Sequence, residues 1–140
     1  MRIMAIDLGE KNIGVAVSDQ LGWTAQGLDT IKSTGKITGD LDKIKELVEK
    51  YEVERIVVGL PRNMNGTIGP QGQKALDFAA RAARHLNLPV DTWDERLSTA
   101  AAERLLINAD VSRVKRRKVV DKMAASIILQ DYLNARVKKT

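Results

Sequence analysis

Three acidic residues occupy positions where an acid is expensive. Asp7 sits near the end of an apolar, strand-like run, Ile3-Met4-Ala5-Ile6-Asp7-Leu8, and Gly9 follows two residues later. Glu95 lies just past a second extended run, in Trp93-Asp94-Glu95-Arg96. Asp121 lies in Val119-Val120-Asp121-Lys122-Met123-Ala124-Ala125. On a helix its neighbours three, four and seven residues on are Ala124, Ala125 and Ile128, which puts Asp121 on a packing face. A buried carboxylate is costly unless a hydrogen bond, a basic side chain or a cation holds it. Acids brought together repel, so a cation is present or some of them stay protonated. An oxygen-only ligand set points to Mg²⁺ or Mn²⁺ rather than zinc. Such an acidic centre with a basic rim suits phosphodiester cleavage, in which two ions about 3.5–4 Å apart activate the attacking water and stabilise the leaving oxygen. Each acid also has a plainer reading. Asp7 could be a turn residue, Glu95 a partner of Arg96 or a helix cap, and Asp121 an acid stabilised by the helix dipole. Asp94 competes with Glu95, but strand alternation sends neighbours to opposite faces, so one of the two reaches the site.

The elements that must position these acids follow from periodicity. Residues 2–8 are apolar on both faces, as in a central strand. Gly9-Glu10-Lys11-Asn12 reads as a turn, and Ile13 to Ser18 resumes the apolar run, giving an antiparallel hairpin. A third strand from about Gln26 to Ser33 continues the meander. Leu41, Ile44, Val48 and Tyr51 then recur at helical spacing, with Asp40 as a cap. Arg55 to Gly59 is a short buried strand, Ala75 to Leu86 marks a long helix, and Pro89 to Trp93 is another strand. A helix over about 99–108 and a last helix over about 118–137 complete the pattern, with a basic loop between them. The expected fold is α/β: a mixed five-stranded sheet, its first three strands an antiparallel meander, flanked by helices.

With 140 residues, the chain is expected to form a single domain over 1–140. It has no cysteine, which excludes disulfides and thiolate metal sites and fits a reducing compartment. The N-terminus carries no secretory pattern and no apolar run approaches a membrane span, so a cytoplasmic location and no membrane partner are expected. The formal charge is +5. It is concentrated in Arg113-Val114-Lys115-Arg116-Arg117-Lys118, five positive side chains in six positions. Charges this dense repel and favour a mobile loop, placed here to grip a nucleic-acid backbone with little sequence preference. Lys11 in the first turn, Arg62 in Gly59-Leu60-Pro61-Arg62-Asn63-Met64-Asn65-Gly66, and Arg96 beside Glu95 are further candidate phosphate contacts. Trp23 and Trp93 read as packing residues, since five aromatics are too few for a base-stacking platform. His85, the one histidine, reads as a surface residue.

Four blocks, "DLGEKNIGVAVSD", "GLPRNMNG", "DERLST" and "VDKMAASIILQDYL", occur in this order along nearly the whole chain. Together they resemble the signature of the YqgF-type family of Holliday junction resolvases, also described as pre-16S rRNA nucleases, with a ribonuclease H-like fold. The resemblance implies that Asp7, Glu95 and Asp121 are catalytic and metal-binding. Related junction resolvases carry a fourth acid near the end of the last block. The nearest candidate here, Asp131, falls roughly 80° around the helix from Asp121 and is not counted as a ligand. The expected activity is metal-dependent hydrolysis of structured nucleic acid, either at the 5′ end of pre-16S rRNA or at four-way DNA junctions. Junction cleavage calls for a two-fold dimer, whereas rRNA trimming is open to a monomer or homodimer. Nothing in the sequence announces a dimer, which favours rRNA processing. Two other classes compete. A sugar-kinase or actin-like nucleotide binder shares the first block but needs two such domains. A non-catalytic nucleic-acid-binding module would have no use for all three acids.

Overall fold

The computed structural model describes residues 1–95 and 113–138, the side chains of 113–122 and 137–138 excepted. The expected helix over 99–108, and Arg96, lie outside the described residues. The first two strands, β1 (Arg2–Leu8) and β2 (Asn12–Ser18), form the expected antiparallel hairpin, with Asp7 opposite Gly14. The expected third strand is two short pieces, β3 (Ala25–Gly27) and β4 (Ile31–Lys32), both paired antiparallel with β2. Among the described residues the sheet therefore has six strands rather than five. The break falls at Leu28-Asp29-Thr30, where Asp has low strand propensity and the edge has no second neighbour to hold it straight.

Helix α1 (Ile37–Tyr51), β5 (Val53–Leu60), α2 (Pro70–Leu86) and β6 (Val90–Asp94) follow. The last helix, α3, runs Arg113–Lys138. β5 pairs parallel with β1 and β6 parallel with β5, giving the order β3-β2-β1-β5-β6. The C-terminal ends of β1, β5 and β6 thus lie at one edge of the sheet, where open α/β sheets place their ligands.

Alternation assigns the faces. Met4 and Ile6 of β1 and Ile56, Val58 and Leu60 of β5 pack with Leu41, Ile44 and Val48 of α1 and Phe78 and Ala82 of α2. Ile3, Ala5 and Val57 point the other way, onto Ala125, Ile128, Leu129 and Leu133 of α3. Burial of each of these large aliphatics contributes about 1.5–3 kcal/mol, enough to fix α3 on the sheet. Ala125 is fully buried and lets the helix approach closely.

Two local expectations change. Asp40 does not cap α1: the N-cap is Lys36, without a side-chain cap. Asp40 instead accepts hydrogen bonds from Ser33 Oγ at 2.8 Å, the Thr34 N–H at 2.7 Å and Thr34 Oγ1 at 2.9 Å, tying the incoming loop to the helix. Burial pushes its carboxyl up, but these bonds and the charge of Lys43 outweigh it and hold the pKa below the ordinary aspartate value. Its stabilisation is therefore present above the unfolded pKa and lost as pH falls through the folded one. Asp40→Ala is expected to cost about 1–3 kcal/mol in urea unfolding, with nucleic-acid cleavage unchanged. The basic run is the second change. Arg113–Lys118 forms the first turns of α3 rather than a loop. Lys and Arg are good helix formers, and solvent screening keeps their mutual repulsion smaller than the helical preference.

Candidate active site

Parity brings two of the three acids together. Asp7 continues the Ile3-Ala5 series on β1 and so faces the α3 side. On β5 the equivalent series is Val57-Gly59, and Gly59 pairs with Trp93 of β6. On β6 it is Asp91-Trp93: Asp91 accepts a hydrogen bond from the Tyr132 hydroxyl of α3, and Trp93 packs edge-on against the Tyr132 ring with centroids 5.8 Å apart. Glu95 is the next member, two residues past Trp93. Its N–H donates to the Leu60 carbonyl at 3.3 Å, which carries the edge beyond the last paired residue.

The Glu95 side chain turns back over Gly59. A Cβ at position 59 would collide with Glu95 Oε2 and lie 2.8 Å from Ile128 Cδ1. Glycine is therefore required by close approach and not by backbone conformation. Glu95 Oε2 is buried and has no hydrogen-bond partner among the described residues. The Glu95 and Asp7 carboxyls lie near enough for each to shift the other's titration. Burial, then the Asp7 charge and hydrogen bond, then the Asp94 charge push the Glu95 pKa up to about 9. Burial raises Asp7 as well, with the Glu95 hydrogen bond acting in the opposite direction.

This arrangement fits a divalent cation. Two carboxylates are held together against their repulsion, one oxygen is buried without a donor, and all the donors are oxygen. Asp121 lies in α3 one turn before Ala125 and two turns before Ile128, the residue whose Cδ1 abuts Gly59. Its side chain lies outside the described ones. Among the described residues no group of three metal-ligating side chains is assembled.

Asp94 points to the other face, where Oδ2 lies 4.0 Å from Arg62 Nε. Arg62 also donates to the Gly66 carbonyl at 3.3 Å, so it is tethered within its own loop while remaining partly exposed. That loop is internally bonded: the Asn63 N–H donates to the Thr67 carbonyl at 2.9 Å, and Asn63 Nδ2 to Thr67 Oγ1 at 2.9 Å. Lys11 is exposed in the β1–β2 turn, whose carbonyl accepts from Ser33. Arg113, Lys115, Arg116, Arg117 and Lys118 share the N-terminal end of α3 with Asp121 at the level of the backbone. His85 lies 2.9 Å from Asp42 on the surface, as expected of a surface histidine. Trp93 is a packing residue, but Trp23 is 69% exposed and is not. The residue that the sequence reading missed is Gly59. Its available signal was a glycine inside an otherwise β-branched strand, which marks close approach.

Known proteins resemble this chain in sequence and in fold. The family model described as "RuvX: Holliday junction resolvase" matches residues 1–135. A protein of Desulforamulus reducens named "Putative pre-16S rRNA nuclease" is 56% identical over 138 residues, covering 99% of this chain and all of its own. A protein of Bacillus thuringiensis with the same name is 58% identical over 137 residues, covering 97% of this chain and all of its own. Among solved structures, Thermus thermophilus RuvC in complex with a Holliday junction substrate superposes with a TM-score of 0.62 at 17% identity, covering 100% of this chain and 98% of its own. That likeness establishes the fold as the ribonuclease H-like one expected. The chain belongs to the RuvX family of Holliday junction resolvases.

Proposed function

We propose that this protein is a divalent-metal-dependent nuclease that hydrolyses phosphodiester bonds in structured nucleic acid, processing the 5′ end of pre-16S rRNA in the cytoplasm. The observation that carries the reading is the Asp7–Glu95 pair, two converging carboxyls with a buried, unpartnered oxygen on Glu95. Asp7, Glu95 and Asp121 would hold Mg²⁺ or Mn²⁺, with two ions once substrate is bound. Bound there, the metal supplies charge stabilisation at the scissile phosphate and a lowered pKa for water. The chain's own groups do the rest. Gly59 leaves room for Glu95 to reach toward Asp7, and Ile128 packs against Gly59 beside it. Lys11, Arg62, Arg96 and the run Arg113, Lys115, Arg116, Arg117 and Lys118 contact backbone phosphates and orient the strand. The relatives' names favour rRNA as substrate.

Cleavage of four-way DNA junctions is the second reading, favoured by the family's description. Wild type and Asp121→Asn, each with Mg²⁺, Mn²⁺ or EDTA, on a labelled precursor-rRNA 5′ leader and a four-way DNA junction separate the cases. The expected result is leader cleavage that requires metal and is lost in Asp121→Asn. Faster junction cleavage with the same requirements would transfer the assignment to the second reading. Binding without cleavage of either substrate would make the protein a non-catalytic binding module.

A further inference from the structure

At the opposite end of β1 from Asp7, a cavity of about 810 Å³ opens between the sheet and the C-terminal part of α3. Ile3, Trp23, Trp93, Tyr132 and Arg136 are among its lining residues. Trp23 is 69% exposed, a costly state for so large an aromatic surface, yet its backbone is fixed. Its N–H donates to Asp19 Oδ1 at 2.8 Å, and its carbonyl accepts from Gln130 Nε2 of α3 at 3.0 Å. The same Gln130 accepts from the Ala25 N–H at 3.1 Å, so α3 itself sets the position of the Trp23 loop. An exposed aromatic on a preorganised loop loses little entropy when it stacks on a ligand.

The lining carries one arginine, Arg136, and one carboxylate, Asp91. Arg136 lies 5.7 Å from the Tyr132 ring centroid and donates to the Tyr132 hydroxyl at 3.3 Å. The carboxylate in the lining, Asp91, is already engaged by Arg55 at 2.9 Å and by the Tyr132 hydroxyl. Two of its lining residues, Ile3 and Trp93, lie on strands that lead toward the acid pair. Trp93 precedes Glu95 by two residues, about 7 Å, and Ile3 precedes Asp7 by four, about 13 Å.

We propose that this cavity binds an unpaired stretch of nucleic acid, with a base stacked on Trp23 and a phosphate beside Arg136. The proposal rests on the nuclease reading for the identity of the ligand. Such a contact supplies affinity without sequence preference, because every base has a face to stack.

The test is binding of labelled ten-nucleotide single-stranded RNA to the full-length protein in EDTA, which needs no catalysis. Trp23→Ala is expected to weaken binding about 5- to 100-fold, with Trp23→Phe retaining most of the affinity. Arg136→Ala is expected to reduce the salt dependence by about one phosphate contact. Because Trp23 is exposed, its variants should keep the wild-type melting temperature. Unchanged affinity in Trp23→Ala, or no binding by wild type, overturns the proposal. So does a wild-type dimer that Trp23→Ala converts to a monomer without loss of RNA affinity, since the apolar rim would then be an interface between copies. Failure of the nuclease reading shows separately, as no metal-dependent cleavage by wild type.

Discussion

Glu95→Gln is expected to lower metal-dependent cleavage by at least about 10²-fold and to flatten the pH dependence of stability in EDTA. Loss of a partner that merely orients a metal ligand costs about 10–100-fold, and Glu95 is proposed as a ligand itself. The stability effect follows from linkage. The folded-state pKa of Glu95 lies near 9, well above its ordinary 4.5. Between those values the folded protein holds a proton that the unfolded chain has released. Stability therefore falls as pH rises through that window and is fully present below about 4.5. Asp7 is shifted in the same direction, so the two do not cancel. Glutamine carries no titrating proton and keeps the shape, so urea unfolding of Glu95→Gln should vary far less between pH 5 and pH 9. A wild type whose stability is flat over that range would mean that the pair is not held together in solution.

Gly59→Ala should be nearly as damaging to cleavage, about 10²-fold, although it touches no substrate. The added methyl needs the space now filled by Glu95 Oε2 and crowds Ile128 Cδ1 at 2.8 Å. Both neighbours must move. Displacing a catalytic group by about 1 Å is enough for a loss of that size. Overpacking against Ile128 adds about 1–3 kcal/mol of destabilisation, visible as a lowered urea midpoint. The two effects separate in the double variant Gly59→Ala with Glu95→Asp. A shorter acid leaves room for the methyl, so its cleavage should exceed that of Gly59→Ala alone. If the double variant is simply the product of the two singles, position 59 acts on the core and not through Glu95.

The hairpin and the parallel strands were legible because each rests on a short-range signal, whereas Asp7 and Glu95 were singled out by the family-like blocks that contain them. The two-sided apolar run predicts a central strand, and the order of crossover helices predicts which strands run parallel. Glu95 rather than Asp94 follows from alternation once the fold sets the faces, and Asp94 indeed turns away toward Arg62. What was not legible depended on which of several competing interactions won. Asp40 reads as a cap, but the loop bearing Ser33 and Thr34 claims it first. Trp23 reads as core because tryptophan usually is, yet Asp19 and Gln130 hold its loop where no core surrounds it. Arg113–Lys118 reads as a loop from charge density alone, and helix propensity prevails. Gly59 hides in a β-branched strand because its reason is a carboxylate 36 residues away.

The central claim, that a divalent cation takes the place of the proton between Asp7 and Glu95, is open to a direct measurement. Titrating Mn²⁺ into the protein at pH 7, calorimetrically in buffers of different ionisation enthalpy, counts the protons released on binding. About one proton per chain is expected, and Glu95→Gln should release none. Binding without proton release, or no binding up to millimolar Mn²⁺, would contradict the account.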